Sequence, residues 1–213
     1  MTEPMTVSPA RVMDRLAKAR TQVAMVITGG GTRIVGQSFA RPGASACWVE
    51  AVVPYSRAAL ERYLGSAGGV SDSADDLDRG AVFRPSAPKL PRRAVCAETA
   101  RAMASTAFSR CVSMSDRVDA QRSLGMAVTC RLPTVGSSAD EGTSTAEAWL
   151  AADDGSGIVC EHFEKGFATD PAHRPLHRSV GSGHQNGDAE RERELAEKWI
   201  ETIFWAFLHA RVI

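Results

Sequence analysis

Net charge is the first thing this chain lacks: its 213 residues carry 25 Lys and Arg against 25 Asp and Glu. The basic residues do not gather either. The groups at 89–93 and 191–193 are far apart and interleaved with Pro or Glu, so there is no stripe of the kind a nucleic-acid backbone requires, and no nucleic-acid partner is expected. No apolar run approaches the ~20 residues of a bilayer span, and the polar, Pro-containing start is unlike a secretory signal. The protein is therefore expected to be soluble and cytoplasmic, with no membrane partner. Cys47, Cys96, Cys111, Cys130 and Cys160 occur singly, without a C-x-x-C pair, which predicts reduced, buried thiols rather than a disulfide frame or a zinc site. His162, His173, His177 and His184 follow none of the short spacings that zinc sites use, so they read as exposed histidines and no metal or cofactor is predicted.

What is present is an ordinary globular composition, 44% hydrophobic and 23% charged. That suits one domain over 1–213 with a full core, loose at 1–7. Two long loops are expected, one at 66–92, rich in Gly, Ser, Asp and Pro, and one at 168–187, rich in Pro and Gly. The 66–92 loop reads as a solvated insertion. Ser8 before Pro9 reads as the start of a helix carrying Val12, Leu16 and Ala19. The apolar run 23–27 then enters Thr28-Gly29-Gly30-Gly31-Thr32, the pattern of strand, tight turn and helix. Residues 35–39 are read as lying past that helix. The turn at 41–45 and a second strand at 48–53 follow, and Ser56 caps a helix ending at Gly65. Residues 96–114 give the clearest helix. Strands at 124–132, 146–152 and 158–163, the last two joined as a hairpin through Asp153-Asp154-Gly155, run without intervening helices and so read as antiparallel. The fold class is α/β, a single three-layer α/β/α domain with a mixed sheet. A last helix, capped by Asp188, shows an apolar face of Leu195, Trp199, Ile200, Ile203, Phe204, Phe207 and Leu208, from which Trp205 departs.

The glycines of the first turn have two readings: a backbone that needs positive φ, or a helix start whose N–H groups receive a phosphate or carboxylate. Three blocks bear on the choice: Val26-Ile27-Thr28-Gly29-Gly30, Arg41-Pro42-Gly43-Ala44-Ser45 and Pro54-Tyr55-Ser56-Arg57-Ala58-Ala59-Leu60. In sequence and spacing they resemble the C-terminal domain of the competence/damage-inducible protein CinA, whose bacterial members are nicotinamide mononucleotide deamidases. The similarity extends more weakly to about residue 165. Those enzymes carry Ala-Glu-Ser-x-Thr-Gly-Gly in the first block, with the serine implicated in catalysis, and Tyr-Ser-Asn-x-x-Lys in the third. Here Met25-Val26 stand where Glu-Ser would be, and Leu60, or Ala59 with a slip of one, stands in the lysine's place. Amide hydrolysis needs an activated oxygen and a group to move protons, and neither Val nor Leu supplies one.

The resemblance implies a small-molecule pocket for a nucleotide or phosphate. Gly29, Gly30, Gly31, Thr32, Thr129 and Arg131 are its candidate ligand-binding residues, Thr134 being a further hydroxyl nearby. Thr28, Tyr55 and Ser56 are the candidate catalytic residues. It leaves two functions open: a member that keeps the pocket without the reaction, or an amidohydrolase working through altered residues. It also implies a homo-oligomer, with Trp205, Val212 and Ile213 as candidate apolar contacts.

Overall fold

A computed structural model describes residues 7–65, 91–114, 122–133, 143–168 and 185–212. The order is α1 (Pro9–Ala19), β1 (Gln22–Thr28), α2 (Arg33–Phe39), β2 (Trp48–Val52), α3 (Arg57–Gly65), α4 (Ala97–Met114), β3 (Ser123–Arg131), β4 (Thr143–Asp153), β5 (Ile158–Ala168) and α5 (Gln185–Arg211). The five strands form one sheet in the order β2-β1-β3-β4-β5. β1 lies parallel to both β2 and β3, while β3–β4 and β4–β5 are antiparallel. The mixed α/β sheet expected from the sequence is the sheet that forms.

Alternation along the strands divides the core in two. Val23, Met25 and Ile27 of β1 pack with Met126 and Val128 of β3 under α1, α2 and α5. Ala24 and Val26 face the other way, with Ala127 of β3, under α3 and α4. Helices thus cover both faces. α4 lies close because it presents Ala100, Ala104 and Ala107, and because β3 has Gly125 beneath it, where a Cβ would fall 2.2 Å from the Ala104 carbonyl oxygen.

Local signals explain the ends of the elements. Ser8 Oγ accepts the Arg11 N–H at the start of α1, with Pro at the first helical turn. Ser56 Oγ accepts from Ala59 N. Gly155 turns the β4–β5 hairpin at φ 83°, its N–H bound to Asp153 Oδ1.

Several expectations need correction. Residues 35–39 lie within α2 rather than past it. β4 and β5 each run 11 residues, because the hairpin partners extend each other. α5 begins at Gln185, before Asp188. Leu195 is 46% exposed, whereas Trp205 is 2% exposed and donates through Nε1 to Gln37 Oε1 at 2.8 Å. Val212 is buried too. Trp205 and Val212 therefore belong to the core and are not contacts for a partner. The expected loops at 66–92 and 168–187 and residues 1–7 fall largely outside the described residues, as do Thr134, His173, His177, His184 and Ile213. All five cysteines are free thiols. Among the described residues, no helix is long and apolar enough to cross a membrane.

Gly125→Ala should force α4 off the sheet and cost about 1–3 kcal/mol. Gly36→Ala in α2, where the added methyl meets nothing within 4 Å, should instead stabilise by about 0.5–1 kcal/mol. Urea unfolding of both variants checks the pair; a Gly125→Ala protein as stable as wild type would show that the close approach does not constrain the fold.

Candidate functional site

β1 and β3 run side by side with Thr28 opposite Thr129, so the turn after β1 and the chain after β3 meet at one edge of the sheet. There, outside the carboxyl ends of parallel strands, α/β sheets form their ligand crevices. A cavity of about 350 Å³ occupies this place, lined by Gly29, Gly30, Thr32, Tyr55, Cys130, Arg131, Leu132, Pro133, Arg193 and Glu197. Its size falls at the lower end of small-molecule sites, about 300–1,000 Å³.

The glycine turn is shaped first by packing. Gly29 and Gly31 have φ 86° and 87°, a region open to Gly at little cost. A Cβ on Gly29 would lie 1.9 Å from the Cys130 carbonyl oxygen, and one on Gly30 2.7 Å from the Leu132 side chain. The room that the missing Cβ atoms leave is thus filled by β3 and its continuation, not held open for a ligand. The Gly31 N–H is already engaged, donating to Glu197 Oε2 at 2.8 Å. A carboxylate from α5 accordingly takes the anion position at the start of α2.

Glu197 is the carboxylic acid on the cavity wall. Burial pushes its pKa up, and the charge of Glu201 adds to that, while the Gly31 N–H, Arg33 and Arg193 pull it down. Glu201 is held separately, by Arg33 at 2.8 Å and by Gln37 Nε2 at 2.7 Å. Cys130 is 3% exposed, and burial, with Glu197 nearby, raises its thiol to about 12. It is protonated at neutral pH and no nucleophile. Arg131 reaches Glu147 at 3.4 Å with its side chain half exposed, and Arg193 is exposed on α5.

The predicted residues divide accordingly. Gly29, Gly30, Thr32, Tyr55 and Arg131 line the cavity. Gly31 meets it through Glu197. Thr28 is 6% exposed and its hydroxyl donates to the Pro54 carbonyl, joining β1 to the end of β2. Thr129 is fully buried, on the α4 side, and donates to the Ala94 carbonyl; with that hydrogen bond made, its hydroxyl does not reach the cavity. Ser56 is exposed and caps α3. Tyr55 is 74% exposed. Val26 and Leu60, which the resemblance sets in the places of a serine and a lysine, are apolar and sealed: Val26 is fully buried and Leu60 is 2% exposed, in the core between the sheet, α3 and α4. Glu197 and Arg193 escaped the sequence reading because they come from α5, far along the chain, and nothing local distinguishes them from other charges on a solvated helix. Among the described residues, no three His, Cys, Asp or Glu are placed to hold a metal ion.

The arrangement is that of an open α/β domain with a polar crevice at the carboxyl ends of its parallel strands. No protein-family model matches the chain, and no curated protein sequence does. Among solved structures it is similar to proteins of the CinA superfamily. With one from Escherichia coli it shares 13% identity over 93% of this chain and 87% of that one, at a TM-score of 0.49. With one from Enterobacter cloacae the identity is 16% over 100% and 97%, at 0.46. With the competence/damage inducible protein CihA from Agrobacterium tumefaciens it is 19% over 93% of each chain, at 0.48.

Because its folded pKa is raised, Glu197 contributes stability that is complete below the ordinary glutamate range and is lost as pH rises through the raised value. Glu197→Gln removes that loss while keeping an acceptor for Gly31. In urea unfolding, the difference between variant and wild type should therefore move in the variant's favour as pH is raised from about 4 to about 7. A difference independent of pH would mean that Glu197 titrates in the fold as it does in the unfolded chain.

Proposed function

We propose that this chain is a CinA-like domain protein whose crevice holds a small phosphorylated ligand, most simply a nucleotide, without hydrolysing an amide as the deamidases it resembles do. The observation that carries this reading is that Arg131, Arg193, Tyr55 and Glu197 line one cavity. Arginine forks suit phosphate oxygens, and an exposed aromatic ring offers a face for a base. Glu197 already takes the Gly31 N–H and would repel a phosphate there. The phosphate accordingly belongs with the guanidiniums, and the carboxyl suits sugar hydroxyls.

Chemistry argues against hydrolysis in this cavity. Val26 and Leu60 are apolar and buried, the Thr28 hydroxyl is committed to Pro54, and Cys130 holds its proton. Among the described residues of the cavity wall, Thr32, Tyr55 and Glu197 remain as hydroxyl or carboxyl groups that could carry a proton. They are what an amidohydrolase with altered residues would have to use.

Calorimetric titration with nucleoside monophosphates and with inorganic phosphate tests the reading. Nucleotide should bind more tightly than phosphate, Arg193→Ala should weaken it about tenfold or more, as loss of a charge-assisted contact does, and nicotinamide mononucleotide should release no ammonia. Absence of binding by every phosphorylated ligand would overturn the pocket. Ammonia release near the usual enzymatic range, upward of about 1 per second, and abolished by Glu197→Gln, would establish the alternative instead.

A further inference from the structure

Three of the five cysteines are sealed in the core: Cys47, Cys111 and Cys130 are 2%, 0% and 3% exposed. Cys96 and Cys160 are only half-buried. Far apart in sequence, they are brought to one place where α4 begins. Cys96 immediately precedes that helix, and its carbonyl accepts the Ala100 N–H of the first turn. Cys160, opposite Ala151 on β5, faces the same helix from the sheet. Its thiol donates to the carbonyl oxygen of Ala97, the residue next to Cys96, at 3.9 Å.

Polar groups surround both thiols. The Cys96 thiol donates to the Arg93 carbonyl at 3.3 Å and lies 3.2 Å from the Thr99 hydroxyl. Having a single proton, it takes the Thr99 hydrogen as an acceptor. The Glu98 carboxyl beside it is held below the usual range by its own backbone N–H and by the Cys96 thiol. Burial pushes the Cys160 thiol up; Arg101 pulls it down by charge and by a hydrogen bond, and Cys96 and Glu161 add to the rise. Cys160 therefore keeps its proton at neutral pH within electrostatic range of Cys96. A reactive thiol with a second, resolving thiol beside it is the arrangement that oxidant-responsive sites use.

We propose that Cys96 and Cys160 are a hydroperoxide-responsive pair that closes into a disulfide, fastening the start of α4 to β5. The sulfur of Cys96, its proton passed to water, attacks one peroxide oxygen. The O–O bond breaks, the second oxygen leaves as hydroxide and takes up a proton, and Cys96 is left as a sulfenic acid. The sulfur of Cys160 then displaces the hydroxyl: the S–S bond forms, the S–O bond breaks, and the hydroxyl departs as water with the Cys160 proton. Two thiols have lost two electrons and two protons, and one hydrogen peroxide has become two waters. A dithiol reverses the bond by exchange. In a reducing compartment such a disulfide is transient and reports oxidant rather than building the fold. Neither cysteine lines the crevice, so this pair stands apart from the ligand proposed there.

Mass spectrometry of the full chain, treated without denaturant with a slight excess of hydrogen peroxide, provides the test. Wild type should lose the mass of two hydrogen atoms, and its thiols, counted after quenching and denaturation, should fall from five to three. A digest should hold one linked pair of peptides, joining Cys96 to Cys160, and a dithiol should restore every thiol. Cys96→Ser should abolish the link and leave Cys160 unmodified at the same dose, whereas Cys160→Ser should leave Cys96 as a sulfenic acid that dimedone captures. Circular dichroism shows whether each variant folds; alanine replaces a serine that unfolds the chain, and the wild-type digest decides the pairing by itself. Persistence of all five thiols, a link to another cysteine or between two chains, or capture of the sulfenic acid at Cys160 would overturn the proposal.

Discussion

The turn at Gly29–Gly31 is fitted so closely into its surroundings that much of the structure near the crevice follows from it. With Gly29 the chain presses against the Cys130 carbonyl, with Gly30 against Leu132, and with Gly31 against Ile200 of α5. Any Cβ at the first two positions would collide, and two of the three residues have positive φ. β1, the end of β3 and α5 are thereby locked into one arrangement, and the hydrogen bond from Gly31 to Glu197 closes it. The walls of the crevice are consequently set by the packing of the chain itself.

Charge in this protein is arranged locally around its helices, which gives the zero net charge physical content. Arg110 of α4 grips Glu50 of β2, with its Nη2 at 2.7 Å, on the face away from α5. On the other face, Arg33 and Gln37 of α2 converge on Glu201, and Gln37 in turn accepts from Trp205. Half-buried carboxylates thus have donors at hand, as desolvated charges require. Glu197 is the exception in kind: a backbone N–H, that of Gly31, donates to it, and burial outweighs that contact in raising its pKa.

Local signals made the sheet legible in the sequence. The β-branched run at 23–27, the Asp-Asp-Gly hairpin and the alanine-rich helix at 97–114 each carry a periodicity or turn chemistry that needs no tertiary information. Elements lengthened by a neighbour escaped: β4 and β5 exceed their expected stretches because cross-strand pairing continues through Thr143, Ser144 and Thr145 on the one and Glu164 to Ala168 on the other. Trp205 was misassigned for a related reason. A helix buried under three other elements has no fixed polar side, and Gln37 of α2 supplies the partner its indole needs. At the crevice, residues contiguous with the glycine motif could be found, whereas Arg193 and Glu197 are defined only by where α5 docks.

The apolar replacements at 26 and 60 acquire a further meaning from their position. Val26 points to the face packed by α3 and α4, where it meets the same core as Leu60, while the crevice is closed by Arg193 and Glu197 from α5 on the opposite face. Arg131, two residues after Thr129 on β3, shares that α4 face and reaches Glu147 there, whereas Arg193 and Glu197 come from the helix on the other face. Polar groups returned to 26 and 60 would lie in a sealed apolar layer, each at a cost of about 1–3 kcal/mol if left without a partner.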